Sequence, residues 1–62
     1  MSTPNPQPVL LRQTIFRSLI EAQDAGQSVA ESRKAMAAQY GVSEDVVKEI
    51  EREGIEEQWP PL

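Results

Sequence analysis

Three stretches of the chain repeat apolar side chains every three or four residues, which is the spacing of an amphipathic helix. The first stretch runs from Val9 to Ala25, and its main apolar stripe consists of Leu11, Ile15, Leu19 and Ala22. Phe16 and Ile20 widen this stripe, and Leu10 lies beside it. The apolar sector is wider than a contact with one neighbouring helix needs, so we expect a further segment to cover it.

The second stretch extends from Ser28 to Tyr40 and carries its own start and stop signals. Ser28 with Glu31 matches a capping box, in which the serine oxygen accepts a backbone N–H and the glutamate reaches back to the cap. Gly41 then ends the helix, because glycine adopts a positive φ without steric cost. The predicted inward-facing side chains are Val29, Met36, Ala37 and Tyr40.

The third stretch begins after Ser43, which is a favourable N-cap residue. Glu44 and Asp45 follow it and lie near the positive end of the helix dipole. The predicted inward-facing residues are Val46, Val47 and Ile50. Gly54 followed by Ile55 predicts a helix stop, in which Ile55 contacts Ile50.

The segments outside these stretches contain proline. Residues 1–8 have proline at alternate positions, and Pro60 and Pro61 follow Trp59. Proline fixes φ and removes a backbone donor, so neither segment is expected to form a regular helix. The sequence therefore predicts an all-α protein with a flexible arm over residues 1–8, a three-helix domain over 9–55 and a C-terminal tail over 56–62.

The two short helices between Arg33 and Arg52 are joined by a compact connection. Ala37 lies four residues before Gly41, where a small side chain permits close approach of another helix, and Val47 follows Gly41 by six. This spacing resembles the helix-turn-helix unit of bacterial transcription regulators, including region 4 of sigma factors. The resemblance covers about a third of the chain. It implies that the second helix of the unit enters the major groove of DNA.

The distribution of charge bears directly on that implication. Residues 1–43 carry four basic and three acidic side chains, whereas residues 44–62 carry two basic and seven acidic ones. Nucleic-acid binders usually present a basic face, because phosphate neutralisation drives their affinity. If the resemblance extends to DNA binding, it implies contacts from Arg33, Lys34, Ser43, Lys48 and Arg52.

Few side chains in the sequence suit catalysis or a cofactor. The chain has no histidine and no cysteine, so the commonest general bases, thiolates and zinc ligands are missing. Glu49 and Glu53 lie one helical turn apart and have the spacing to share a divalent cation, but charged runs on helices usually face water. We therefore expect a protein that is not an enzyme and uses no cofactor or metal.

The sequence also bears on the compartment. No apolar run approaches the ~20 residues of a membrane span, and no charged, apolar secretion signal begins the chain. Without cysteine there is no disulfide framework. A cytoplasmic protein without membrane contact is the simplest expectation.

Trp59 and Leu62 are the large apolar residues of the C-terminal tail. Two interpretations are open. Trp59 folds back to cover the wide apolar face of the first helix, or the tail docks onto a partner protein. In the second interpretation the docking residues are Phe16, Ile20, Trp59 and Leu62.

Two functions follow from these observations. The first is a small regulatory or adaptor protein that binds another protein, or a second copy of itself, through an exposed helix face. The alternative is a DNA-binding transcription regulator that uses the helix over residues 44–53. The acidic character of that helix favours the first function.

Overall fold

The computed structural model describes residues 8–62, and within this range the chain forms three helices. α1 spans Val9–Asp24, α2 spans Val29–Tyr40 and α3 spans Glu44–Glu57. No strand occurs between residues 8 and 62, so the predicted all-α fold of three helices is confirmed. In the same range no helix combines the length and the apolar character that crossing a membrane requires. The predicted arm lies outside the described residues except for Pro8, which immediately precedes α1.

Serine side chains start α2 and α3, as predicted. Ser28 Oγ accepts the backbone N–H of Glu31 at 3.1 Å, and the Glu31 carboxylate accepts the N–H of Ser28 at 3.1 Å. Ser43 Oγ accepts the N–H of Val46 at 3.1 Å. Each contact satisfies a backbone donor at a helix terminus that has no intrahelical partner.

The connection between α2 and α3 is a tight turn at Gly41. Its φ of 67° and ψ of 35° lie in the left-handed region, which ends α2 as predicted. The N–H of Val42 donates to the carbonyl of Ala37 at 3.0 Å and ties the turn to the end of α2. Residues 41–43 therefore suffice to separate the two helices.

α3 does not end at Gly54, so the stop predicted there is wrong. The helix continues to Glu57, and Gln58 takes the left-handed conformation that ends it, with φ 53° and ψ 46°. The N–H groups of Gln58 and Trp59 donate to the carbonyls of Ile55 and Gly54, at 3.3 and 2.9 Å. Ile55 is 55% exposed instead of folding back onto the helix. α3 thus continues two residues past Ile55.

Gly54 lies inside α3 because the ring of Phe16 occupies the space that a side chain would need. A Cβ built on Gly54 would overlap the ring carbons of Phe16. Glycine in a helix interior costs roughly 1 kcal/mol relative to alanine, so helix propensity opposes its position here. The close approach of α1 to the α3 backbone offsets that cost.

The core lies where the helices and Trp59 meet. Its buried apolar members are Ile15, Phe16, Leu19, Met36, Val47, Ile50 and Trp59. α1 supplies three of them, as its wide apolar sector requires. The Trp59 ring stands edge-on to Phe16, with 6.0 Å between ring centroids and 78° between ring planes. This T-shaped contact places the C-terminal aromatic ring against α1.

α2 buries a different set of residues from the predicted one. Val29 was expected to face inward, but it is 46% exposed, whereas Ser32 and Met36 are buried. Ala37 and Tyr40 are half-buried against the core. Val29 is the first residue after the N-cap of α2. In that first turn the buried residue is Ser32.

α1 and α2 form an antiparallel hairpin. The hydroxyl oxygens of Ser18 and Tyr40 lie 2.7 Å apart, and Gln23 Nε2 donates to Ser32 Oγ at 3.1 Å. Gln23, near the end of α1, thus pairs with Ser32, near the start of α2, which shows that the two helices run in opposite directions. α3 packs against both helices of this hairpin.

Candidate interaction face of the third helix

The side of α3 opposite the core carries charged side chains and an isoleucine. The buried side is formed by Val47, Ile50 and Gly54, which we call the apolar stripe of α3. The exposed residues opposite are Asp45, Lys48, Glu49, Arg52, Ile55 and Glu56. Their spacing of three and four residues aligns them along the helix. We call these six residues the outer face of α3.

An open groove of about 610 Å³ lies beside the outer face. Arg33 of α2 lines it together with residues of α3, so the groove spans both helices. The lining residues from α3 are Asp45, Lys48, Glu49, Glu51, Arg52 and Ile55. Cationic, carboxylate and apolar side chains are therefore available to a ligand at one place on the surface.

Glu51 lines this groove, and its largely buried carboxylate is held by hydrogen bonds from α1 and α2. Arg33 Nε and Nη2 donate to Glu51 Oε1 at 2.9 and 2.7 Å. Gln23 Nε2 donates to Glu51 Oε2 at 3.2 Å and to Ser32 Oγ at 3.1 Å. Ser32 is completely buried, and the Glu51 side chain is 12% exposed. These four residues, which we call the Glu51 hub, connect α1, α2 and α3 by hydrogen bonds.

A second ion pair joins α3 to α1. Arg12 Nε donates to Glu53 Oε1 at 2.8 Å, and Arg12 Nη2 donates to Glu53 Oε2 at 3.0 Å, a two-point contact between guanidinium and carboxylate. Glu51 and Glu53 are therefore engaged within the fold and do not belong to the outer face. The exposed acidic residues of the segment 44–62 are Glu44, Asp45, Glu49, Glu56 and Glu57.

The contact of Glu53 also bears on the cation site considered from the sequence. Both Glu53 oxygens accept hydrogen bonds from Arg12, while Glu49 is exposed on the outer face. Across residues 8–62 the structure contains no group of three side chains suited to hold a metal ion. The Glu53 carboxylate thus pairs with Arg12 within the fold.

The five predicted nucleic-acid contacts are not equivalent in the structure. Lys34, Lys48 and Arg52 are exposed. Arg33 is engaged in the hub described above, and Ser43 uses its hydroxyl oxygen to cap α3. The exposed lysine and arginine of α3 share its outer face with carboxylates, which disfavours approach to phosphate.

The four predicted partner-docking residues also differ from one another. Phe16 is completely buried and Trp59 is 8% exposed, and their rings contact each other. Ile20 is half-buried against the core, whereas Leu62 is 59% exposed. Phe16 and Trp59 thus serve the core in this structure.

Reasoning from the sequence missed the Glu51 hub. Ser32 lies four residues before Met36 on the same side of α2, and a serine within an apolar row signals a buried hydrogen bond. Gln23 and Glu51 offer no comparable signal, because polar residues of amphipathic helices usually face solvent. Their pairing depends on where α3 crosses the hairpin.

Comparisons of the chain with protein-family models, with curated proteins and with solved structures find no match. The resemblance to a helix-turn-helix unit therefore stays a prediction.

Proposed function

We propose that the protein is a small non-enzymatic regulatory or adaptor protein that binds another protein through the outer face of α3. The supporting observation is the groove of about 610 Å³ shared by α2 and α3, which includes the exposed Ile55 among charged side chains. A partner protein can cover such an isoleucine with an apolar side chain and pair its own charges around it.

Part of the groove is held in place before a partner arrives. Arg33 and Glu51 line it and are fixed to each other by two hydrogen bonds, with Gln23 holding the second carboxylate oxygen. Side chains that are already ordered lose little conformational entropy on binding, so more of the contact energy appears as affinity. Lys48 and Arg52 are exposed beside them and can adjust to charges on a partner.

Site-specific photo-crosslinking tests where the interface lies. A photoreactive amino acid at Glu49, on the outer face, should crosslink a protein partner in a cell extract. The same amino acid at Glu21, an exposed glutamate of α1, is the matched control. Equal crosslinking from both positions, or none from Glu49, would count against α3 as the interface.

A titration with the crosslinked partner then tests the groove itself. Arg52→Ala and Ile55→Ala should each weaken binding about tenfold, which corresponds to ~1.4 kcal/mol. Arg17→Ala removes an exposed arginine of α1 and should leave the affinity unchanged. If neither groove variant changes the affinity, the groove does not form the interface.

DNA binding is the alternative function, with α2 and α3 acting as the helix-turn-helix unit of a transcription regulator. The observation in its favour is the exposure of Lys48 and Arg52 on the outer face of α3. Glu44, Asp45 and Glu49 are exposed on the same helix and oppose it, because they would approach the phosphates together with the two cations.

A salt-dependent titration with duplex DNA separates the two functions. We expect no binding to random duplex DNA tighter than the high micromolar range at physiological salt. Nanomolar binding that weakens steeply with salt, and that drops further in Lys48→Ala, would replace the protein-binding proposal with the alternative.

We also propose a cytoplasmic location. A chain without cysteine gains nothing from an oxidising compartment, because it has no disulfide to form. Fractionation of cells that produce the protein, followed by detection in the soluble and membrane fractions, tests this location.

A further inference from the structure

The apolar contact between α3 and the α1–α2 hairpin has little directional character. α3 contributes Val47, Ile50 and Gly54 to it. Burial of aliphatic groups is favourable but insensitive to orientation. The approach of Phe16 to Gly54 fixes one point of contact, but a single point does not fix the direction of a helix axis.

Two polar contacts flank this apolar stripe. Successive helical residues are about 100° apart around the axis, so Glu51 and Glu53 emerge on opposite sides of the stripe. Glu51 contacts Gln23 at 3.2 Å, and Glu53 contacts Arg12 at 2.8 Å. Arg12 and Gln23 are separated by ~16 Å along α1. The two carboxylates thus hold α3 at two well-separated points of the hairpin.

Both ion pairs are partly buried. The side chains of Arg33 and Glu51 are 30% and 12% exposed, and those of Arg12 and Glu53 are 13% and 33% exposed. Ion pairs in such surroundings contribute little net stability, because lost hydration offsets much of the attraction. A displaced α3, however, would leave a partly buried charge without its partner, which is strongly unfavourable.

We infer that the Glu51 hub and the Arg12–Glu53 pair form a two-point clamp that selects the orientation of α3 on the hairpin. The apolar stripe supplies most of the stability, and the clamp excludes other packings. The clamp is a property of the fold and acts whether or not α3 binds a partner. It also explains how the groove keeps its shape, because Arg33 and Glu51 belong to both the clamp and the groove.

An apolar replacement of the hub ion pair separates orientation from stability. Arg33→Met/Glu51→Leu removes both charges together, so neither remains buried alone. The readout is the NMR shift of the Gly54 Hα protons, which the adjacent ring of Phe16 displaces through its ring current. We expect retained helicity, a urea midpoint near or above that of the wild type, loss of the Gly54 ring-current shift and broadened amide signals.

The matched control is Glu44→Leu/Lys48→Met, which replaces an exposed pair of charges on α3 and should retain the Gly54 shift. A wild-type Gly54 shift and one sharp set of signals in the hub variant would overturn the clamp, because the apolar stripe would then orient α3 unaided. Cooperative loss of folding would overturn it as well, because the ion pair would then be a main source of stability.

A charge reversal provides a second, independent test. Arg33→Glu/Glu51→Arg restores the ion pair with opposite polarity. The clamp predicts that this double variant recovers the Gly54 shift and the sharp signals that are lost in Glu51→Arg alone. Absence of any recovery would contradict the clamp.

Discussion

Gly41 ends a helix and Gly54 lies inside one, although the residues around each predict a helix end. Gly41 has a φ of 67°, and a Cβ built there would meet no described atom within 4 Å. Gly54 is helical, and its missing side chain makes room for the ring of Phe16. The first glycine is thus needed for its backbone conformation and the second for its small volume. A helix-stop pattern in the sequence does not distinguish these two needs.

The two helix ends also depend on different interactions. α2 ends on a glycine, which adopts the left-handed conformation without cost. α3 ends on Gln58, whose side chain disfavours its φ of 53° by about 1–2 kcal/mol. Trp59 follows and packs against Phe16, and burial of this large ring outweighs the strain. The turn at Gly41 therefore relies on its own backbone, whereas the end of α3 relies on tertiary packing.

Of the substitutions near the ends of α2 and α3, removal of the Trp59 ring should lower stability the most. Trp59→Ala should lower the free energy of unfolding by about 3 kcal/mol, at the low end of the range for buried tryptophan because the chain terminus can relax. Urea unfolding followed by far-UV circular dichroism measures this loss. Leu62→Ala, at an exposed position, is the control and should stay within about 0.5 kcal/mol of the wild type. Equal effects of the two substitutions would mean that the end of α3 does not depend on Trp59.

Gly54→Ala should come next, at about 2 kcal/mol of destabilisation, because the new methyl group overlaps the Phe16 ring. The same change at an uncrowded helical position would stabilise by roughly 1 kcal/mol, so the sign itself is informative. A double-mutant cycle with Phe16→Leu should show a smaller penalty for Gly54→Ala when the ring is absent. Stabilisation by Gly54→Ala in the wild-type background would show that the ring does not restrict this position.

Gly41→Ala should destabilise by about 1 kcal/mol through the left-handed backbone alone, since the added Cβ meets no described neighbour. Gly41→Asn should cost less, because asparagine tolerates this conformation better. Thermal and urea unfolding of both variants provide the measurement. A larger loss for asparagine than for alanine would point to crowding at the turn instead of backbone strain.

Gln58→Gly should have the smallest effect and the opposite sign. Glycine relieves the strain at φ 53° but loses more conformational entropy on folding, which leaves a net stabilisation of about 0.5 kcal/mol. Gln58→Ala keeps the strain and serves as the matched control in the same urea experiment. Destabilisation by Gln58→Gly relative to Gln58→Ala would show that the added loss of backbone entropy outweighs the relief of strain.

The local structure of this protein follows from short-range signals in its sequence. The capping serines Ser28 and Ser43 and the stop at Gly41 are confirmed, because each depends on hydrogen bonds or dihedral angles within a few residues. The apolar periodicity of α1 also predicted which side of the helix is buried. Of the candidate site, Lys48 and Arg52 of α3 are exposed, in keeping with the surface position that the resemblance to a helix-turn-helix unit implied for them. These features are local or periodic, and a sequence expresses both directly.

The way in which the helices meet depends on long-range contacts that the sequence pattern does not reveal. The sequence predicts a helix stop at Gly54, and its position inside α3 becomes understandable only from the Phe16 ring that packs against it. Gln23 of α1 and Glu51 of α3 are polar residues that the sequence would place in solvent, and they meet only because α3 crosses the hairpin at this position. The groove beside the outer face of α3 exists because of that crossing. Apolar periodicity records which side of a helix faces inward, but not which helix lies opposite or at what position along its axis. Those choices depend on contacts between residues far apart in the chain, whose complementarity appears only after they have been brought together.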